Sequence, residues 1–361
     1  MSSPFSEYME WAKTRSGARF NLASSGLVGF PLAELGELPP LETNGPGGYG
    51  YAPLVERLAR KAGVDPDRVV HATGTSMANL LAMAAVASPG DEVLVEEPTY
   101  SLLTDAARWL GLELRRFPRR HQDAFAVEPS LVEDRLTRRT RLVVLTSLHN
   151  PSSALVGEEV LRAVGEAARS VGARVLVDEV YLEALAVLGR PFTSAAQLGP
   201  TFVVTSSLTK AYGLSGLRCG WAIATPELAA RMWRLNDLFG VIPAHPAELL
   251  SVLALDRLER PAARARHILE TNTKATNVFL ASRPELECGR LDGGMIAFPR
   301  LRGAGVEALC ERLRREETTV VPGRFFGAPQ HFRLAIGCAP ETLQGGLARL
   351  ARALDARDAA V

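Results

Sequence analysis

The residues most able to do covalent chemistry stand in one stretch, SSLTKAYGLSGLRCG, where Lys210 follows Ser207 and Thr209 and precedes Gly213, Gly216, Arg218 and Gly220. The glycines allow backbone to approach a bound group closely. An amine held beside a cationic arginine and partly out of water gives up its proton more readily, and so becomes a nucleophile toward a carbonyl. A single lysine after a strand is more often a solvated cation, so this chemistry needs further groups. One is Asp178, which ends the apolar run Val175-Leu176-Val177. A carboxylate at a buried strand end needs a partner: a protonated ring nitrogen, a helix terminus or an ion pair. Another is Gly74-Thr75-Ser76 at a helix start, which offers free N–H groups and a positive dipole end, to which Ser207 adds a hydroxyl and Arg218 a two-donor guanidinium. Together they suit a phosphate dianion. Read singly, Thr75 or Ser76 is a helix cap and Arg218 a surface residue.

The elements that must position these groups are legible between Arg68 and Ala224. Short β-branched runs at Arg68–His71, Glu92–Val95, Leu112–Phe117, Arg141–Thr146, Arg174–Val177, Phe202–Thr205 and Cys219–Ala224 alternate with helical patterns at Ser76–Ala87, Ser101–Trp109 and Glu158–Ser170. This alternation predicts an α/β fold with a mostly parallel seven-stranded sheet covered by helices. In such a sheet ligands bind beyond the carboxyl ends of the strands, and the residues following these runs are polar: Gly74-Thr75-Ser76, His149-Asn150-Pro151, Asp178 with Tyr181, and Ser207 with Lys210. After Thr225 the pattern changes to helices at Leu249–Leu258 and Ala263–Leu280, a strand at Met295–Arg300, a helix at Val306–Arg315 and a strand at His331–Ile336. This predicts a second, smaller α+β domain. The expected division is a large domain over residues 45–240 and a small one from 1–44 plus 241–361, with the Pro- and Gly-rich stretch Pro39–Gly50 as a linker.

Composition narrows the function classes. The chain has 361 residues, 47% hydrophobic and 22% charged, which places it among globular proteins rather than disordered ones. Lys+Arg 41 against Asp+Glu 40 leaves +1, with no global field to hold a polyanion, so nucleic acid is not an expected partner. Cys219, Cys288, Cys310 and Cys338 form no CxxC pair, and no zinc or other metal site is expected. The segment MSSPFSEYMEWAKTR lacks a signal-peptide core and no run approaches the ~20 apolar residues of a membrane span. A cytoplasmic protein without membrane contact is therefore expected.

The combined motifs resemble the class I/II aminotransferase family of fold-type I pyridoxal-phosphate enzymes, across nearly the whole chain. SSLTKAYGLSGLRCG is similar to the family's Schiff-base signature, HNPSSALV to its Asn-Pro-Thr-Gly segment, VDEVY to its Asp-Glu-x-Tyr segment, and PGDEVLVEEPTY to the stretch ending in a ring-stacking aromatic. TTVVPGRFFG and HFRLAIG are similar to the segments that close the site. The resemblance implies pyridoxal 5'-phosphate as cofactor and Lys210 as the aldimine lysine. It implies that Asp178 pairs with the pyridine nitrogen, that Asn150 and Tyr181 bond the phenolic oxygen, and that Tyr100 stacks on the ring. It also assigns Thr75, Ser76, Ser207 and Arg218 to the phosphate. Arg333 is similar to the arginine that clamps the substrate carboxylate, and Ser25-Gly26 to the segment over the substrate, with Asn150 also on the substrate side. Two departures stand out: Ser152-Ser153 replace the usual Thr-Gly, and the tyrosine that many members lend to a partner's phosphate aligns only loosely, with Tyr49 as the candidate. A homodimer is implied, acting on an amino acid and a 2-oxo acid. Phe30, Leu27 and Met295 point to an apolar substrate group.

Other readings lose support in the same string. The GxGxxG match at Gly45, Gly47 and Gly50 follows no strand, and GxxxxGK and HExxH are absent. Ser207-Leu208-Thr209-Lys210 matches SxxK, but Ser-Asp-Asn and Lys-Thr-Gly are missing. A cofactor-sensing DNA-binding regulator would need a helix-turn-helix module, and no such pattern precedes the linker. The expectation is an aminotransferase; a β-lyase or decarboxylase using the same cofactor is the alternative.

Overall fold

The computed structural model describes residues 5–303 and 305–358. The chain opens with helix α1 (Glu7–Thr14) and the short strand β1 (Phe20–Asn21), then crosses an irregular segment to helix α2 (Ala52–Ala62). From there strand and helix alternate: β2 (Val69–Thr73), α3 (Gly74–Val86), β3 (Glu92–Glu97), α4 (Ser101–Trp109), β4 (Glu113–Pro118), α5 (Pro129–Glu133), β5 (Thr140–Thr146), α6 (Glu158–Ser170), β6 (Arg174–Asp178), α7 (Glu183–Val187), β7 (Phe202–Ser207) and β8 (Cys219–Ile223). Strands β2 to β8 form one mixed sheet in the order β2-β8-β7-β6-β5-β3-β4, all parallel except β8, which runs against both neighbours. These are the seven expected strands, with ends moved by one or two residues.

The central strands are apolar on both faces because both are covered. Leu142, Val143, Val144 and Leu145 in β5 and Val175, Leu176 and Val177 in β6 are all buried. Helix α3 is hydrophobic nearly all round, since it packs on β2, β7 and β8 below and on α8 (Pro226–Asn236) above. Helix α6 buries Leu161, Val164, Gly165 and Ala168 and turns an Arg162–Glu158 pair at 2.7 Å to solvent, one helical turn apart.

Beyond the sheet come α9 (His245–Asp256) and the long α10 (Glu259–Ala281). A smaller antiparallel sheet follows, with Phe332–Ala335 between Ile296–Ala297 and Val321–Pro322, flanked by helices Val306–Arg315 and Pro340–Asp358. The strand expected at Met295–Arg300 is instead two short pieces, Ile296–Ala297 and Arg300–Leu301, which pair with different partners. β1 pairs in parallel with Thr318–Thr319, so the N-terminal segment is sewn to this smaller unit. The division into residues 45–240 and the remainder is our proposal; α9 packs on α2 and β8 and so sits with the large sheet.

The segment from Ser25 to Glu37 has little regular structure and is held through its backbone. Leu27 N donates to Lys210 O at 2.9 Å, Val28 N to Gly337 O at 2.8 Å and Phe30 N to Gly213 O at 3.0 Å. Arg264 and Arg260 of α10 donate to the carbonyls of Gly29 and Glu34, and Arg257, just after α9, to that of Leu35. Phe30 is thereby turned toward α10, with the Arg264 guanidinium 5.8 Å from its ring centre, while Leu27 and Met295 are buried.

Candidate active site

The carboxyl ends of β2, β5, β6 and β7 bring the expected residues to one edge of the sheet. At the end of β6, Asp178 is buried, with Oδ2 accepting from Asn79 Nδ2 at 2.8 Å and Oδ1 from Val180 N at 3.0 Å. Burial raises its pKa, and the bonds from Asn79 and Val180 and the Lys210 charge oppose that rise. Asn79 is itself fixed by the hydroxyl of Thr205 in β7, at 2.5 Å from its Oδ1. Asn79 escaped the sequence reading. Its signal is a lone amide in the otherwise apolar α3, one turn beyond Gly74-Thr75-Ser76.

Lys210 follows β7, its Nζ donating to Ser25 Oγ at 2.9 Å, with Gly26 packed against its stem. Its pKa falls to about 8, because burial disfavours the charge, Arg333 and Arg218 repel it, and Asp178 only partly compensates. Tyr181, just past β6, is buried next to Ser25 without a well-formed hydrogen bond, and its pKa is pushed up to about 12, mainly by burial.

The cradle expected to hold an anion is built by backbone as much as by side chains. Gly74 takes φ +77°, its N–H donating to Arg218 O at 2.8 Å, and the Arg218 guanidinium lies where a Cβ at Gly74 would stand. A Cβ at Gly220 would strike the Gly74 backbone, so both positions require glycine. Around the start of α3 stand Thr75, Ser76 and the buried Ser207, which accepts from Thr209 N at 3.3 Å. Among the described residues, Thr75 Oγ1 and Thr209 Oγ1 are buried without partners. Unsatisfied buried hydroxyls at a helix N-terminus beside a guanidinium are the donors an anion needs. Thr209 was missed as a site residue, although it lies next to Lys210 in the motif.

Arg333, in the middle strand of the small sheet, is fully buried. Its Nη1 donates to Asn150 Oδ1 at 3.0 Å, and its Nη2 to Tyr8 OH at 2.8 Å and to Ala23 O at 3.2 Å. Asn150 is held from behind: its N–H donates to Thr146 Oγ1 at 2.9 Å, which donates to Glu96 Oε1 at 2.6 Å, and Glu96 pairs with the buried Arg119 at 2.7 Å. His149, kept neutral chiefly by burial, bridges Pro98 O at 2.9 Å and Ser152 Oγ at 2.7 Å. Ser153 takes φ +64°, which glycine would adopt without strain, and its Oγ donates to Ile296 O at 2.7 Å. The Ser152-Ser153 departure thus ties this loop to the smaller sheet.

Tyr100 caps this edge, its ring edge-on to Tyr8 with centres 5.8 Å apart. Tyr49 stands apart from the cluster: it is exposed and donates to Asp237 Oδ2 at 3.1 Å on its own chain. A cavity of about 910 Å³ runs past Ser76, Asn79 and Tyr100 to Tyr8, Phe325 and Phe326.

A cluster joining an amine of lowered proton affinity, an anion cradle, a buried carboxylate and a buried guanidinium suits a cofactor-dependent enzyme. The comparisons agree: the family described as aminotransferase class I and II matches residues 41–350, and the chain belongs to it. It is a pyridoxal-phosphate-dependent enzyme of that family. It is similar to capreomycidine synthase of Streptomyces vinaceus, 31% identical over 97% of this chain and 94% of that one. It is also similar to the arginine–pyruvate transaminase of Pseudomonas aeruginosa, 30% identical over 82% and 78%. In structure it is similar to a PLP-dependent aminotransferase from Streptococcus suis, with a TM-score of 0.91, 24% identity and 98% of each chain covered. The residues present fit the cofactor: the cradle offers the unpartnered hydroxyls of Thr75 and Thr209, Tyr181 a free phenol, and Asp178 a fixed carboxylate.

Proposed function

We propose that the chain transfers an amino group between an L-amino acid and a 2-oxo acid. The observation that carries this reading is the buried Arg333, held by Asn150, within electrostatic reach of an amine whose pKa is lowered to about 8. Pyridoxal phosphate, when bound, supplies the electron sink and stores the amino group between half-reactions. Thr75, Ser76, Ser207, Thr209 and Arg218 would hold its phosphate, Asp178 its ring nitrogen, and Asn150 and Tyr181 its phenolic oxygen, with Tyr100 against the ring. Arg333 orients the substrate by attracting its carboxylate, with the unpartnered Nε–H as a donor to it. Lys210 Nζ, neutral in a useful fraction near pH 7, takes the proton from the substrate Cα and returns it to the cofactor side, acting as base and then acid. Gly26 and the segment around it lie over Lys210 and restrict water. The test is to add a pool of amino acids to the protein loaded with cofactor, without any oxo acid. Loss of the cofactor's visible band with stoichiometric release of a 2-oxo acid supports transamination.

A second reading keeps every residue and changes the bond broken, to one at Cβ as in a β-lyase, or to the carboxylate bond as in a decarboxylase. The end-to-end similarity to a relative named as a synthase, not a transaminase, supports keeping this second reading. A visible band that persists while other products accumulate would select it. We also propose a cytoplasmic homodimer: Leu238, Val241 and Trp109 are exposed, with Trp109 beside Phe239 at 6.2 Å, and the four cysteines are unpaired. No helix among the described residues is long and apolar enough to cross a membrane.

A further inference from the structure

Arg333 carries five N–H donors, and three are committed: one to Asn150 Oδ1, one to Tyr8 OH and one to Ala23 O. The Nε is buried without a partner, and one hydrogen of Nη1 is also free. The phenol of Tyr8 meets this guanidinium as an acceptor only, so its own hydrogen remains to be donated, and no described residue accepts it. Tyr8 is buried, 6% exposed, which makes an unused O–H costly unless a ligand takes it. The ring cannot easily turn away. It lies edge-on to Tyr100 and Phe325 and tilted against Phe326, with centres 5.8, 5.7 and 5.9 Å away, and the Arg333 guanidinium sits 5.6 Å from its centre. It also lines the cavity that passes Ser76 and Tyr100.

We propose that Tyr8 is a substrate-binding residue: its O–H donates to the α-carboxylate that Arg333 attracts, while its oxygen stays bonded to Arg333 Nη2. This rests on the amino-acid reading of the site given above. The carboxylate then takes the phenol hydrogen beside the Arg333 charge, with the unpartnered Nε–H as a further donor. Because Tyr8 belongs to α1, the first helix of the chain becomes part of the substrate site, and the clamp is complete only when α1 is docked.

The test titrates the full chain, loaded with pyridoxal phosphate, with each proteinogenic L-amino acid and with the matching amino acid amides, following the cofactor's visible band. Tyr8→Phe keeps every ring contact and removes only the hydroxyl. The half-saturating concentration of the responding amino acid should rise about tenfold or more. The preference for acid over amide should narrow, while cofactor affinity and the limiting rate at saturation stay within about threefold. A purely structural role would move cofactor affinity and rate together and leave the acid-to-amide preference alone. An unchanged half-saturating concentration in Tyr8→Phe, or cofactor release in its place, overturns the proposal. If no amino acid alters the band of the unmodified protein, the amino-acid reading itself falls and takes this one with it.

Discussion

The Lys210 amine lends itself to a quantitative test. Its pKa drops from 10.5 to about 8, through burial first and then repulsion from Arg333 and Arg218, with Asp178 opposing. At pH 7 about one amine in ten is then neutral, against about one in 3,000 for an unshifted lysine, a gain of roughly 300-fold in nucleophile. The assay mixes cofactor-free protein with pyridoxal phosphate in a stopped-flow instrument and follows covalent capture by absorbance, with borohydride trapping and mass analysis to place it on Lys210. The capture rate should climb about tenfold per pH unit from acid and level off near the shifted value. Arg333→Met removes a repelling cation, so the midpoint should move up; Asp178→Asn removes the attracting anion, so it should move down. Lys210→Ala should show no capture. The same shift has a sign in stability: between pH 8 and 10.5 the unfolded chain binds a proton that the native one does not, so this group makes the cofactor-free protein more stable as pH rises through that window. A midpoint near 10.5 in the unmodified protein, or both charge variants moving it in one direction, would refute the electrostatic reasoning.

Other outcomes follow from the same geometry. Arg333→Ala should raise the half-saturating amino acid concentration by about 10- to 100-fold and leave cofactor affinity nearly unchanged, as a titration of each ligand would show. Release of the cofactor instead would mean that Arg333 does not hold the substrate. Asn79→Leu strips a donor from Asp178 and an acceptor from Thr205, both buried, and should cost about 1–3 kcal/mol in thermal or denaturant unfolding and weaken cofactor binding. Gly220→Ala drives a methyl group into the Gly74 backbone and should reduce cofactor affinity by about tenfold or more while circular dichroism stays native.

The large sheet was readable in the string because parallel strands covered on both faces carry continuous apolar runs, as residues 142–145 in β5, 175–177 in β6 and 202–204 in β7 do. The smaller unit was harder to read. Its strands are two to four residues long, too short for a period to show, while the helix Pro340–Asp358, with buried Leu343, Leu347, Leu350 and Leu354 at helical spacing, was legible but passed over. The helices α1 and α8 also passed unread.

The sequence by itself determined which chemistry is possible. Lys210, Asp178, Asn150 and Arg218 stand beside strand ends, where strand geometry alone sends them to one edge of the sheet, and their types suit an amine nucleophile, an anion cradle and a ring-nitrogen partner. The tertiary structure decided what couples to them across long separations. Tyr8 and Arg333, 325 residues apart, meet because β1 is sewn to Thr318–Thr319 and brings α1 over the strand Phe332–Ala335. Asn79 reaches Asp178 because α3 lies across β6 and β7. Tyr49, adjacent in sequence to the glycine-rich turn, ends at the surface on Asp237 instead. Spacing along a chain fixes which face of an element a residue occupies; which faces meet is set by packing between elements, and that is where the Tyr8–Arg333–Asn150 contacts and the lowered proton affinity of Lys210 arise.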